Sequence, residues 1–193
     1  MNIGIFGGTF DPTHVGHLIV AESVQERLAL EMVLLMPAYL PPHKQEGAFA
    51  SPAHRLRMLQ LAVAENPHFK VSDVEIRRGG KSYTIDTLRT LRGLYPGDKL
   101  FLIIGTDNLR ILPTWKEPEE VLKTSSVVVI DRPGIDRSTI DNEFVKHVRF
   151  VQVPTIEISG TDVRRRISEG KTIRYLVPDS VSAYIEDKKL YQS

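Results

Sequence analysis

The chain has no cysteine, which excludes disulfides, thiolate zinc sites, iron–sulfur ligation and thiol nucleophiles. It has no long apolar run. The longest, residues 32–37 and 100–104, fall far short of the ~20 residues that a membrane-spanning helix needs. It has little excess of charge: 25 basic residues against 24 acidic ones leave +1, which is no signature of nucleic-acid binding. No basic segment with an apolar stretch behind it precedes the first strand, so no signal peptide is expected. These absences predict a soluble, cytoplasmic protein with no membrane and no nucleic-acid partner. Repeats, charge blocks and low-complexity tracts are missing too, and no linker divides the 193 residues. A single domain over 1–193 is expected, with a helical C-terminal part from about residue 159.

What is present is an ordinary globular composition. A hydrophobic share of 41% and a charged share of 25% exclude a disordered or fibrous chain. Short apolar runs at 2–6, 32–36, 100–104 and 127–130 read as buried strands, with further strands at 71–76 and 150–153. Between them lie amphipathic helices. Residues 17–30 carry Val20, Ala21, Val24 and Leu28 on one stripe. A second helix starts at a Ser51-Pro52 cap and stops at Asn66-Pro67. Others span 84–95 and 117–123, run from Ser159 or Thr161 to Gly170, and open again at Pro178. Residues 37–50 read as a loop and 77–80 as a turn. Apolar strands alternating with helices predict an α/β fold: a Rossmann-like, doubly wound parallel sheet with helices on both faces. Ligands of such sheets bind beyond the carboxyl ends of the strands. The segments of interest are therefore 7–17, 37–45, 105–115, 131–134 and 154–164.

The first of these reads Gly7-Gly8-Thr9-Phe10-Asp11-Pro12-Thr13-His14-Val15-Gly16-His17. Glycines behind a strand let backbone approach a ligand, and the helix N-terminus beyond them suits phosphate. His14 and His17, three apart, share a face in the first helical turn. The stretch describes an anion site with two added imidazole donors. A tight turn with two surface histidines is the plainer reading, and the convergence on one strand-to-helix junction outweighs it. The pattern is neither G-x-G-x-x-G nor a Walker A loop. Gly79-Gly80-Lys81-Ser82 has Glu75 where a Walker A loop needs glycine, so a hairpin-like turn is preferred there. A second junction, Ile158-Ser159-Gly160-Thr161-Asp162-Val163-Arg164, combines N-cap hydroxyls at Ser159 and Thr161 with a guanidinium ahead of a helix. It is a second phosphate cradle, or a capped helix with a solvated basic face.

The His-x-Gly-His motif behind a glycine-rich strand end, together with Ile-Ser-x-Thr-x-x-Arg near the C-terminus, resembles the nucleotidylyltransferase superfamily. Within it the chain is similar to the bacterial nicotinate-nucleotide adenylyltransferase family. Pro41-Pro42-His43-Lys44, the segment 82–88, Gly105-Thr106-Asp107 with Trp115, and Asp131-Arg132-Pro133-Gly134 match that family as well. The resemblance covers about residues 2–185 and implies one nucleotidylyltransferase domain. One departure is Gly160, where the family usually carries a second serine.

The resemblance implies transfer of an adenylyl group from ATP to nicotinate mononucleotide, giving deamido-NAD and pyrophosphate in NAD biosynthesis. His14 and His17 would donate to the ATP phosphates, with His17 at the transition state. Arg164 and the backbone behind Ser159 would hold the outer phosphates, with Thr161 beside them. Gly7, Gly8 and Thr9 would let the nucleotide lie on the first strand. Gly105 and Asp107 behind the central strand would lie at the ATP site, Asp107 on a ribose hydroxyl and Arg132 on the adenine side. On the acceptor side, Lys44 would bridge phosphates, Trp115 would stack on the pyridine ring, and Thr84 would cap a helix facing the carboxylate. Mg²⁺ would ride on the ATP phosphates, with no protein ligand. For Lys44, Trp115, Thr84 and Asp107 the plainer readings are a solvated lysine, a core tryptophan and two simple caps. The same chemistry on nicotinamide mononucleotide or phosphopantetheine, and a non-catalytic nucleotide sensor, remain alternatives. The oligomeric state is left open, with a homodimer among the arrangements.

Overall fold

The structure is a computed structural model that describes residues 1–41, 50–131 and 137–192. Its six strands are β1 (Asn2–Gly8), β2 (Met32–Pro37), β3 (Phe69–Val71), β4 (Lys99–Gly105), β5 (Ser126–Ile130) and β6 (Arg149–Val151). They form one parallel sheet in the order β3-β2-β1-β4-β5-β6. Ile5 of β1 lies level with Leu34 of β2 and with Leu102 of β4. The strand order reverses between β1 and β4, which is where doubly wound sheets open a crevice at their carboxyl ends.

The strands are apolar throughout because both faces are covered. Ile3, Ile5, Leu34, Leu102 and Val129 point to one face. There they meet α3 (Val74–Arg78), α4 (Thr84–Leu94), α5 (Thr106–Ile111) and α6 (Pro118–Thr124) through residues such as Ile85, Leu88, Leu109 and Val121. Phe6, Val33, Leu35, Ile103 and Val128 point the other way, onto Ala21 and Val24 of α1 (Val15–Leu28) and Leu59 and Val63 of α2 (Pro52–Val63). Gly4 stands on this second face, where an added Cβ would lie 2.8 Å from the Leu30 side chain. The C-terminal helices α7 (Gly160–Ser168) and α8 (Asp179–Asp187) use a third apolar cluster, with Val163, Val181 and Ile185 against Met58 of α2. Among the described residues no helix is long and apolar enough to cross a membrane.

The doubly wound sheet expected from the pattern is present, with local differences. The strand expected at 71–76 is shorter and earlier, and Val74–Arg78 is helical instead. Adjacent Val74 and Glu75 are both buried, and Asp73 pairs with Arg77 at 2.9 Å across one helical turn. The apolar–polar alternation of that segment is therefore a half-buried turn of helix. The segment 105–115 is no simple loop: α5 and a 3₁₀ turn at Leu112–Thr114 occupy it. Gly79 and Gly80 both take positive φ (68° and 67°), but they lead into a parallel bridge from Lys81 to Leu40 rather than a hairpin.

Candidate active site

A cleft of about 1020 Å³ opens at the reversal point, floored by the ends of β1 and β4. Gly7, Gly8, Thr9, His14, His17, Thr84, Gly105, Asp107, Trp115, Ser159, Thr161 and Arg164 all line it. Two positions named from the sequence, Lys44 and Arg132, lie outside the described residues.

The β1–α1 junction makes one wall. Gly7 has nothing within 4 Å of where a Cβ would project, so its backbone is open to a ligand. Phe10 turns the chain with φ 50°, a left-handed conformation uncommon for a bulky residue. It is held by Phe6 edge-on at 5.9 Å and by the His17 ring at 4.9 Å. His14 is the N-cap of α1, and its ring stacks on His17 with centroids 3.6 Å apart. The His17 Nδ1 accepts the His14 backbone N–H at 3.2 Å. Accepting there leaves the proton of a neutral His17 ring on Nε2, so the imidazole serves as a donor at its other nitrogen. Gly16 completes the wall: a Cβ there would lie 3.1 Å from the His14 ring.

The second wall is α7. Ser159 is its N-cap and accepts the Asp162 N–H at 3.1 Å. The first-turn N–H groups of Gly160 and Thr161 have no partner within the helix, and both residues line the cleft. Gly160 is a close-approach position: a Cβ would fall 2.7 Å from the Asp11 carbonyl oxygen. Arg164 reaches across, donating from Nη1 to that carbonyl at 2.6 Å and from Nη2 to Thr161 Oγ1 at 3.3 Å.

Behind both walls lies a polar cluster that the sequence motifs did not reveal. Asp11 is buried, with Oδ1 accepting the Ala50 N–H at 3.1 Å and the Tyr191 hydroxyl at 2.6 Å. Its Oδ2 faces Arg164 Nη1 at 3.5 Å. Arg55, 3% exposed, donates to the carbonyls of Ala50, Thr9, Ala38 and Tyr39 at 2.6–3.1 Å. Burial lowers its pKa, and the nearby Asp11 carboxylate opposes that shift. Burial, then Asp11, raises the Tyr191 hydroxyl far above the ordinary tyrosine range.

The far end of the cleft is built from α4 and the chain around Trp115. The N-cap of α4 is Tyr83, so Thr84 is its first helical residue and not its cap. The Trp115 indole is half-buried in the wall, and its Nε1 is buried without a hydrogen-bond partner. Its neighbours fasten it to α4: Lys116 contacts both Asp86 oxygens at 2.9 and 3.0 Å, and Arg89 forks onto Glu117 at 3.1 and 2.5 Å. Glu75 and Ser82 also line this end. Thr87 donates to Glu75 Oε1 at 2.7 Å, and Ser82 Oγ accepts the Tyr39 N–H at 2.9 Å. Asp107 lies exposed in the first turn of α5, whose N-cap is Gly105.

Donors for phosphate from the α7 N-terminus, paired imidazoles and a guanidinium, at the switch point of a doubly wound sheet, mark the chain as a nucleotidyltransferase. The comparisons agree. The cytidylyltransferase-like family model matches residues 5–166. A probable nicotinate-nucleotide adenylyltransferase of Salinibacter ruber is 44% identical over 192 residues, covering 100% of this chain and 98% of the relative. The probable nicotinate-nucleotide adenylyltransferase of Thermomicrobium roseum is 48% identical over 196 residues, covering 99% and 92%. The chain belongs to the nicotinate-nucleotide adenylyltransferase family. The same fold is seen in the solved Plasmodium falciparum nicotinic acid mononucleotide adenylyltransferase complexed with NaAD, at 20% identity, TM-score 0.79 and coverage of 98% and 97%.

Proposed function

We propose that the cleft transfers the adenylyl group of ATP to nicotinate mononucleotide, releasing pyrophosphate and forming deamido-NAD. The observation that carries this reading is the division of one cleft into two ends. Histidines, Arg164 and the α7 N-terminus gather at one end, and Trp115 with the α4 N-terminus at the other. The first end is matched to the phosphates of ATP. The second end is matched to a flat ring with a negative substituent, by stacking and by helix N–H donors. Glu75 and Asp107 are acceptors suited to sugar hydroxyls.

The reaction needs no general base. A phosphate monoester has its second pKa near ~6 and is largely ionised at neutral pH. Its oxygen attacks the α-phosphorus in line, the new P–O bond forms, and the bond to the bridging oxygen of pyrophosphate breaks with its electron pair. The residues then act by position and charge. The His17 Nε2–H, with its acceptor nitrogen already occupied, donates to the non-bridging oxygens. Arg164 and the N–H groups of Gly160 and Thr161 hold the departing phosphates. Among the described residues no three His, Asp or Glu side chains gather as a metal cage. The donor set around the cleft fits a phosphate anion and offers Mg²⁺ no ligand of its own; Mg²⁺ bound to that phosphate and to water would neutralise part of its charge. Pyrophosphate release with ATP and Mg²⁺ tests the reading, using nicotinate mononucleotide and its amide side by side. The expected result is a strong preference for the acid. Equal rates would overturn the carboxylate assignment, and no release with either would overturn the reaction.

A further inference from the structure

We propose that Tyr191 is a positioning residue for the phosphate end of the cleft: its hydroxyl, through the buried Asp11 carboxylate, sets where the Arg164 guanidinium stands. The inference rests on the reading of Arg164 as a contact to the outer phosphates of ATP.

The tail behind α8 is shaped to deliver this hydroxyl. Lys189 and Tyr191 both take left-handed φ, 49° and 64°, which residues with a Cβ rarely adopt. The Leu190 N–H between them is tied to the Ile185 carbonyl at 3.0 Å. The two left-handed residues turn the chain back against α2 and α8, where Leu190 and Tyr191 join the third apolar cluster. The Tyr191 hydroxyl then crosses 180 residues of sequence to reach Asp11 Oδ1 at 2.6 Å.

Asp11 has few alternatives there. Its side chain is 1% exposed, so water does not satisfy it. Oδ1 is served by Tyr191 and Ala50, while Oδ2 has no hydrogen bond and faces Arg164 at 3.5 Å. A buried carboxylate that loses a donor must find another. Among the described residues Arg164 is the cation of the cleft lining that pairs with Asp11, and its Nη1 already touches the Asp11 carbonyl at 2.6 Å. Without the Tyr191 hydroxyl, Asp11 draws Arg164 into a full ion pair and away from the ligand. With it, Arg164 stays at the rim, held to carbonyl and Thr161 and turned to the cleft. Arg55 does not take over: four of its five N–H donors are bound to carbonyls, and swinging toward Asp11 would leave those buried acceptors unpaired.

The test compares ATP with AMP, which lacks the outer phosphates. Calorimetric titration of wild type, Tyr191→Phe and Tyr184→Phe gives the affinities, and thermal denaturation checks that each is folded. Tyr191→Phe is expected to weaken ATP roughly tenfold and to leave AMP unchanged. In turnover its KM for ATP should rise while that for nicotinate mononucleotide stays. Tyr184→Phe removes a hydroxyl from the same C-terminal region, one that bonds His54 at 2.9 Å, and should alter neither affinity. Equal weakening of ATP and AMP, unchanged ATP binding in Tyr191→Phe, or an ATP defect shared by Tyr184→Phe would each overturn the proposal. A wild type that binds ATP and shows the contrast, yet does not turn over nicotinate mononucleotide, would instead sink the proposed reaction and uphold the role of Tyr191.

Discussion

At the scale of single residues, the His14–His17 pair and Gly160 carry the clearest consequences. Stacking at 3.6 Å and the hydrogen bond into His17 Nδ1 define the ring before any ligand arrives. His17→Ala should therefore leave thermal stability close to wild type and lower kcat by about 10²–10³-fold, the usual loss when one preorganised donor to a developing charge is removed. Steady-state kinetics beside a melting curve checks this, and near-normal turnover would remove His17 from the mechanism. Gly160→Ser adds a hydroxyl at the mouth of α7, but its Cβ enters 2.7 Å from the Asp11 carbonyl oxygen. We expect a loss of about 1–3 kcal/mol of stability and a higher KM for ATP, since α7 must back away. An unchanged melting temperature would contradict the close approach. The motif residues were legible because their types are unusual at a strand-to-helix junction. Arg55, Asp11 and Tyr191 were not legible as a cluster. No motif marks Arg55, and three of its four carbonyls, those of Thr9, Ala38 and Tyr39, come from strand ends that only the folded chain brings over it.

Among the elements, α4 and the chain that carries Trp115 form a unit. The pairs Lys116–Asp86 and Arg89–Glu117 flank the indole on its C-terminal side. Glu117 takes φ 52° and is the N-cap of α6, so its side chain reaches α4 from a left-handed backbone. Such exposed pairs are individually weak and are screened by salt. Arg89→Ala should thus raise KM for the acceptor about two- to fivefold with KM for ATP unchanged, and added salt should reproduce much of the effect in wild type. Identical acceptor KM at low and high salt would count against the fastening. The Arg89 hydrogen bond holds the Glu117 carboxyl below its usual range. The tie therefore persists at neutral pH and is lost only as pH falls beneath the ordinary carboxylate range. The helix at Val74–Arg78 shows where element reading failed. Five residues are too few to display a 3.6-residue period, and alternation over so short a span fits a strand equally well. Burial of Glu75 against Thr87 decides it, and that contact is made only by the folded chain.

For the molecule as a whole, Arg55 joins parts that the sheet alone leaves apart. It binds the carbonyls behind β1, the end of β2 and the residue ahead of α2. Arg55→Met keeps the bulk and leaves buried acceptors unpaired, so unfolding free energy should drop by at least about 3 kcal/mol, measured by urea denaturation. A drop below about 1 kcal/mol would mean water reaches those carbonyls. The sheet architecture was legible because buried parallel strands must be apolar on both faces, as 32–36 and 100–104 are. The strand order was not, since no local pattern records which edge a crossover takes.

That order also dictates when the site comes into being. The lining of the cleft runs from Ile5 to Arg164, and β1 at its centre waits for β4 and then for α7. During synthesis on the ribosome, a chain that has emerged only as far as β5 has histidines but no opposing wall. Activity therefore switches on late and as a unit, and N-terminal fragments ending before Ser159 should compete for no substrate.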